Sequence, residues 1–115
     1  MAEDGIEVLE YNGDGYSKVM SYDAWRVAII NYAERFEEKN LSRLERHLLT
    51  DEVFVLLEGD ATLVSDSAQY RMEKGTMYNV NAGVWHAISV SRDAKVLIVE
   101  NDNTCIENTE YKQIN

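Results

Sequence analysis

Residues 45–59 have the sequence ERHLLTDEVFVLLEG, and residues 75–90 have the sequence GTMYNVNAGVWHAISV. The first stretch contains an apolar run that ends before Gly59, and the second places Gly75 and Gly83 ahead of a histidine. Short apolar runs closed by glycine or by Asn and Asp are typical of β-strands joined by hairpin turns. These two stretches therefore predict strands that carry histidines and carboxylates.

The rest of the second half of the chain repeats this pattern at near-regular spacing. Each apolar segment ends at a cluster of Gly, Asn, Asp or Lys, which predicts strands at 53–57, 61–65, 68–72, 77–80, 85–91 and 95–100. Several short strands separated by turns are typical of an all-β sandwich or barrel.

The first half of the chain is less uniform. The run Asn12-Gly13-Asp14-Gly15 predicts a hairpin turn between strands at 6–11 and 16–20. Residues 23–33 leave strand and helix open, because their apolar spacing suits one face of a helix while their residue types favour a strand.

The segment that leads into the first quoted stretch also divides into two parts. Residues 34–40 favour one short helical turn, and residues 41–47 favour a strand on which Arg43, Glu45 and His47 share one face.

Composition restricts the classes of function. The 115 residues predict a single domain over 1–115, and 11 basic against 21 acidic residues give a net charge of −10. This charge argues against nucleic-acid binding and against an anionic membrane surface. No apolar run approaches the ~20 residues of a membrane span, and the acidic N-terminus does not resemble a signal peptide, so we expect a cytoplasmic protein.

Few residues are able to carry chemistry in this chain. A single cysteine, Cys105, excludes a disulfide framework, and the two histidines are His47 and His86. If the strands at 41–47 and 53–57 run side by side, then Glu45, His47 and Glu52 converge on one interior. Imidazole and carboxylate donors suit iron, manganese, nickel, copper or zinc.

These residues resemble the motifs of the cupin superfamily, in its small single-domain form. The first cupin motif is G-x5-H-x-H-x3-4-E-x6-G, and its second histidine, glutamate and closing glycine match His47, Glu52 and Gly59. The second motif is G-x5-P-x-G-x2-H-x3-N, and its two glycines and histidine match at 75, 83 and 86. The resemblance covers residues 41–101, and residues 6–33 would add extra N-terminal strands.

The resemblance implies a double-stranded β-helix, or jelly-roll barrel, with a divalent transition metal (Fe, Mn, Ni or Zn) at its mouth. By position, the implied ligands are His47, Glu52 and His86. The remaining ligand position holds Glu45, where the family has a histidine. Three roles stay open for Glu45: a metal ligand, a catalytic base beside a three-ligand metal, or a pocket residue in a barrel that has lost its metal.

The family's substrates imply action on a small polar metabolite, such as a sugar or organic-acid derivative, by isomerisation, elimination or dioxygenation. Arg43 could bind a substrate carboxylate, although it also suits a plain charge partner. A non-catalytic small-molecule-binding cupin without metal is the alternative, and an assembly protein is a third interpretation. Small cupins commonly form dimers, and the apolar segment Trp25–Tyr32 could cover the edge of another sheet, so we expect a homodimer.

Overall fold

The computed structural model describes residues 4–114, and their secondary structure is almost entirely β. Ten strands occur in this part of the chain: β1 Tyr16–Tyr22, β2 Trp25–Asn31, β3 Arg43–His47, β4 Glu52–Glu58, β5 Ala61–Ser65, β6 Gln69–Arg71, β7 Met77–Val80, β8 His86–Val90, β9 Lys95–Asn101 and β10 Thr109–Gln113. Short 3-10 turns lie at Glu34–Phe36, Glu38–Asn40 and Ile106–Asn108.

The described strands form two five-stranded sheets. The first sheet has the order β1-β2-β9-β4-β7, and the second has the order β10-β3-β8-β5-β6. All the strand pairs are antiparallel. The predicted all-β double-stranded β-helix is therefore confirmed.

The core lies between the two sheets, and on β8 and β9 buried residues alternate with partly buried ones. On β9, Val96 and Ile98 are buried, while Leu97 between them is only partly covered. Phe54 on β4 and Ile88 on β8 pack in the same cluster. Successive side chains of a strand point to opposite faces, so the inward set of β9 continues from Ile98 to Glu100.

Residues 25–31, where the sequence left helix and strand open, form a strand. β2 pairs with β1 on one side and with β9 on the other, so its backbone groups are satisfied only in the extended form. The helical turn expected at 34–40 is present as two consecutive 3-10 turns. Tertiary pairing thus outweighed the helical spacing of the apolar residues.

The hairpin predicted around residues 12–15 is wrong. Residues 6–11 form no strand, and β1 instead turns into β2 at Asp23-Ala24, with Asp23 at φ 50°. Side chains from the sheet hold this N-terminal segment. The Asn31 amide and the Lys95 ammonium donate hydrogen bonds to the Tyr11 carbonyl, at 3.0 and 2.8 Å. At Tyr11, side chains thus take the place that a strand partner would have had.

Among the described residues, no helix is both long enough and apolar enough to cross a membrane.

The tight turn after β4 generates a stability prediction. Gly59 has φ +72°, and a Cβ there would lie 2.6 Å from the Ala94 Cα, whereas Gly75 has φ +80° with open space around it. We expect Gly59→Ala to lower the free energy of unfolding by about 3 kcal/mol, from strain plus a backbone clash. Gly75→Ala should cost only ~1 kcal/mol, from strain alone. Urea unfolding of both variants measures this, and equal losses would contradict the clash.

Candidate functional site

Three strands from both sheets carry the candidate site residues. β3 places Glu45 and His47 on its inward face, and β8 begins with His86, which is the register partner of Glu45. Glu52 begins β4, which belongs to the opposite sheet. The strands at 41–47 and 53–57 therefore do not run side by side, which was the condition considered for convergence of these side chains. The four side chains meet across the interior, because the two sheets face each other there.

Glu52 is the centre of the cluster. Its Oε1 lies 3.0 Å from the Nε2 of His86 and 3.2 Å from the Nε2 of His47. The Oε2 of Glu45 lies 3.3 Å from the same Nε2 of His47. Glu52 and both histidines are buried, whereas the Glu45 side chain is 43% exposed. The structure thus brings together all four predicted site residues, with Glu45 on the solvent side.

Hydrogen bonds at the far side of each ring orient the imidazoles. The Nδ1 of His86 lies 2.9 Å from the Val84 carbonyl, which only accepts, so this Nδ1–H donates. The Nδ1 of His47 lies 3.0 Å from the Thr109 hydroxyl. Because the Nδ1 of His86 keeps its proton, two states remain for its Nε2. It either carries a second N–H that donates to Glu52, or it has a lone pair that could bind a cation.

Glu100 on β9 also belongs to this cluster, and sequence reasoning missed it. It is the direct register partner of Glu52, and each residue is 5% exposed. Ligand atoms of His47, Glu52 and Glu100 all lie within 4.8 Å of one another, as do those of Glu45, His47 and His86. The apolar alternation along residues 95–101 could have revealed it. Every second side chain of a strand shares one face, so the face that holds Val96 and Ile98 also holds Glu100.

The surroundings of these groups shift their pKa values in opposite directions. Burial would raise the pKa of Glu52, but hydrogen bonds from His47 and His86 prevail and hold it well below its usual range. Burial lowers the pKa of His86, but its hydrogen bond to Glu52 outweighs this and raises it. Burial, together with the neighbouring Glu52, raises the pKa of Glu100 to about 9.

A cavity of about 460 Å³ opens onto the cluster between the two sheets. Beyond the site residues, its lining includes basic and aromatic side chains: Tyr16, Arg26, Arg35, Phe36, Arg43 and Tyr111. The Arg43 guanidinium stacks on the Tyr111 ring at 3.8 Å from the centroid, and that of Arg35 stacks on Phe36 at 4.6 Å. A small polar molecule would thus meet carboxylates at the floor and guanidinium groups at the rim.

The sequence of residues 34–100 matches the family described as "Cupin domain". The chain belongs to this cupin family. The match includes both quoted motifs and all the residues of the cluster. No curated protein matches the chain at a significant level. The expectation that arose from the motif spacing is confirmed.

Several solved structures share the fold. A cupin-2 domain protein from Shewanella frigidimarina is 20% identical with a TM-score of 0.63, and covers 79% of this chain and 84% of its own. A cupin superfamily protein from Desulfitobacterium hafniense is 19% identical with a TM-score of 0.58, and the coverage is 82% and 81%. A Streptomyces PAC13 variant, with uridine, is 6% identical with a TM-score of 0.66, and the match covers 92% of this chain and 85% of the PAC13 chain.

The cupin cluster has the donor chemistry and spacing that a divalent transition ion requires. Ligand atoms ~2.1 Å from a metal lie about 3 Å apart when adjacent and about 4.2 Å apart when opposite. The separations of 3.0 to 3.3 Å between the histidine nitrogens and the carboxylate oxygens match the adjacent case. One oxygen of Glu100, Oε2, is also buried without a hydrogen-bond partner. These residues therefore fit the metal that the cupin fold implies.

The carboxyl group of Glu100 makes stability depend on pH. Its pKa is raised to about 9, so its contribution to stability is complete below the unfolded pKa near 4.5 and is lost as pH rises toward 9. In the metal-free protein, Glu100→Gln should therefore become more stable than the wild type by ~1–2 kcal/mol at pH 9, because the buried charge is absent.

Chemical denaturation at pH 5, 7 and 9 in the presence of a chelator measures this difference. Glu58→Gln is the control, because Glu58 is an exposed glutamate at the other end of β4. A gain in the Glu100 variant that is the same at every pH would contradict the raised pKa.

Proposed function

We propose that this cupin binds a divalent transition metal through His47, Glu52 and His86 and acts on a small organic acid. The observation that carries this proposal is the approach of both Nε2 atoms to one carboxylate oxygen, at 3.0 and 3.2 Å. Two histidines and one carboxylate are the donor set of many open metal sites. The hydrogen bonds at each Nδ1 support it, because such partners orient ligating imidazoles.

Glu45 has the position of a general base. Its carboxylate is partly exposed at the cavity side of His47, so a substrate bound there would contact it directly. We assign Glu45 the removal of a proton from the carbon beside a substrate carbonyl, followed by return of that proton or loss of a leaving group. A bound divalent ion would supply Lewis-acid polarisation of the substrate oxygen. The reaction is then an isomerisation or an elimination.

Two arginines at the cavity support an anionic substrate. Arg35 and Arg43 both line it, and among the described residues neither guanidinium has a carboxylate within 4.0 Å. In a chain with net charge −10, these two guanidinium groups place free positive charge at the cavity, where an anionic ligand would meet it. A guanidinium binds a carboxylate through two parallel hydrogen bonds, so a substrate carboxylate fits Arg43.

Metal content tests the first half of the proposal. Protein purified without a histidine tag or chelator should contain about one equivalent of Fe, Mn, Ni or Zn by elemental mass spectrometry. His47→Ala and His86→Ala should lose this metal, because each removes a nitrogen donor. Arg71→Ala, at an exposed ion pair with Asp60, is the control and should keep it. Absence of metal from the wild type after incubation with each of the four ions would refute metal binding.

Hydrogen exchange tests the reaction. Incubation of metal-loaded protein in D2O with a panel of small hydroxy and keto acids should exchange the α-proton of one member, as followed by NMR. Glu45→Gln should slow this exchange at least ~100-fold while keeping the metal, because the base is lost. Arg43→Gln should raise the KM about tenfold or more.

Arg46→Gln is the matched control for Arg43, since Arg46 lies on the same strand but points to the other face, where it pairs with Glu110 and contacts Trp85. Oxygen consumption by the loaded protein without α-proton exchange would instead indicate a dioxygenase and would refute the role of Glu45 as base.

A metal-free binding module is the second candidate function. The observation that favours it is that Glu52 already pairs with both histidines, which satisfies these buried groups by hydrogen bonding alone. In that case, stripping metal would leave ligand affinity unchanged. Glu45→Gln and His86→Ala would then leave ligand binding intact, whereas the metal-dependent function requires both residues for turnover.

We also propose that the protein is a cytoplasmic homodimer. β2 is paired on both sides, so it is not free to cover another sheet edge as the sequence suggested, and β1 is the edge strand. The outer face of this sheet offers another surface, because Val27, Ile29 and Leu97 line a groove there that is closed at one side by the N-terminal segment. Light scattering at micromolar concentration should show a dimer, and a monomer would refute this assembly.

A further inference from the structure

Glu100 has no position in the family motifs, although it forms a buried pair with the motif residue Glu52. Glu52 and Glu100 lie directly opposite each other on β4 and β9, and both are 5% exposed. Like charges at paired positions of a sheet repel, and burial strengthens the repulsion. The pair therefore needs a positive partner or a proton.

The nearby arginine supplies only part of that charge. Arg26 approaches the Oε1 of Glu100 at 3.6 Å, but its Nε lies 3.0 Å from the Oδ1 of Asp102. Its Nη2 donates to the carbonyls of Asp102 and Thr104, at 2.9 and 2.7 Å. One guanidinium is thus shared between two carboxylates and turned toward the loop after β9. The Oε2 of Glu100 keeps no partner.

That unpartnered oxygen belongs to a residue that lines the cavity and lies beside the cluster. One ligand atom each from His47, Glu52 and Glu100 falls within 4.8 Å of the other two. The ~4.2 Å that separates opposite ligands of a bound metal falls within this limit. In the metal-free protein, a proton shared between Glu100 and Glu52 satisfies the buried pair. A divalent cation would replace that proton and bind both carboxylates.

We propose that Glu100 is a metal ligand, and that it rather than Glu45 completes the set formed by His47, Glu52 and His86. This inference rests on the metal binding proposed above. Two carboxylates and two neutral imidazoles would give a neutral site with a divalent ion. Glu45, which is far more exposed, is then free to face the substrate. The fourth donor thus comes from β9, where the first cupin motif has a histidine on β3.

Titration with Co²⁺ of chelator-stripped protein tests the assignment without any substrate. Calorimetry gives the affinity, and the visible absorption of Co²⁺ reports its coordination. Glu100→Gln should weaken Co²⁺ binding at least about tenfold and change the absorption spectrum. Glu45→Gln should bind within about threefold of the wild type, with the same spectrum. Glu58→Gln, with the same change in charge outside the cluster, is the control.

Circular dichroism of the stripped variants shows whether each one folds. Glu100→Asp keeps a carboxylate, so it should bind Co²⁺ more tightly than Glu100→Gln does. Co²⁺ binding by Glu100→Gln that equals the wild type, with a loss in Glu45→Gln, would overturn the assignment while leaving metal binding intact. A wild type that binds no Co²⁺ would overturn both the assignment and the proposed function.

Discussion

The contact of one buried carboxylate with two imidazoles organises this molecule. Glu52 belongs to the first sheet and His47 and His86 belong to the second, so their hydrogen bonds join the two sheets across the interior. Charged groups are costly to bury unless they are paired. Removal of one partner would leave the remaining groups buried without compensation for their lost hydration. The strands therefore have to bring all three residues into register, and the cavity forms around them.

The need to pair buried charges also determines where the charged residues of this protein lie. Much of the acidic excess lies at the surface, where water screens it, and several exposed basic residues pair with surface carboxylates, as Lys112 does with Asp66. The interior holds a small, specific set of carboxylates near the histidines, and unpaired arginines stand at the cavity. Such an arrangement suits a cation at the floor and an anion at the rim, which is the chemistry of a metal-assisted reaction on an organic acid.

The sequence predicted the strands of the second half of the chain, and it singled out the four residues Glu45, His47, Glu52 and His86. Strands are predicted from turn residues and apolar alternation, which are visible within a few neighbouring residues. The spacing of the cupin motifs then related residues of different strands to one site. Sequence reasoning failed at the N-terminus, where the pattern around Asn12 and Gly13 looked like a hairpin. There, side chains distant in sequence, such as that of Lys95, bind the carbonyls that a strand partner would have taken. It also missed Glu100, because a glutamate at the end of an apolar strand resembles a surface residue until its partner is known.

The sequence by itself determined that this is an all-β cupin with histidines and carboxylates directed to one interior. The physical reason is that periodicity, turns and side-chain chemistry are properties of neighbouring residues. Only the tertiary structure decided that residues 25–31 are a strand, that Glu52 reaches the histidines from the opposite sheet, and that Glu100 faces Glu52. These facts depend on strand order and register, which join residues tens of positions apart and are set by the packing of the whole barrel.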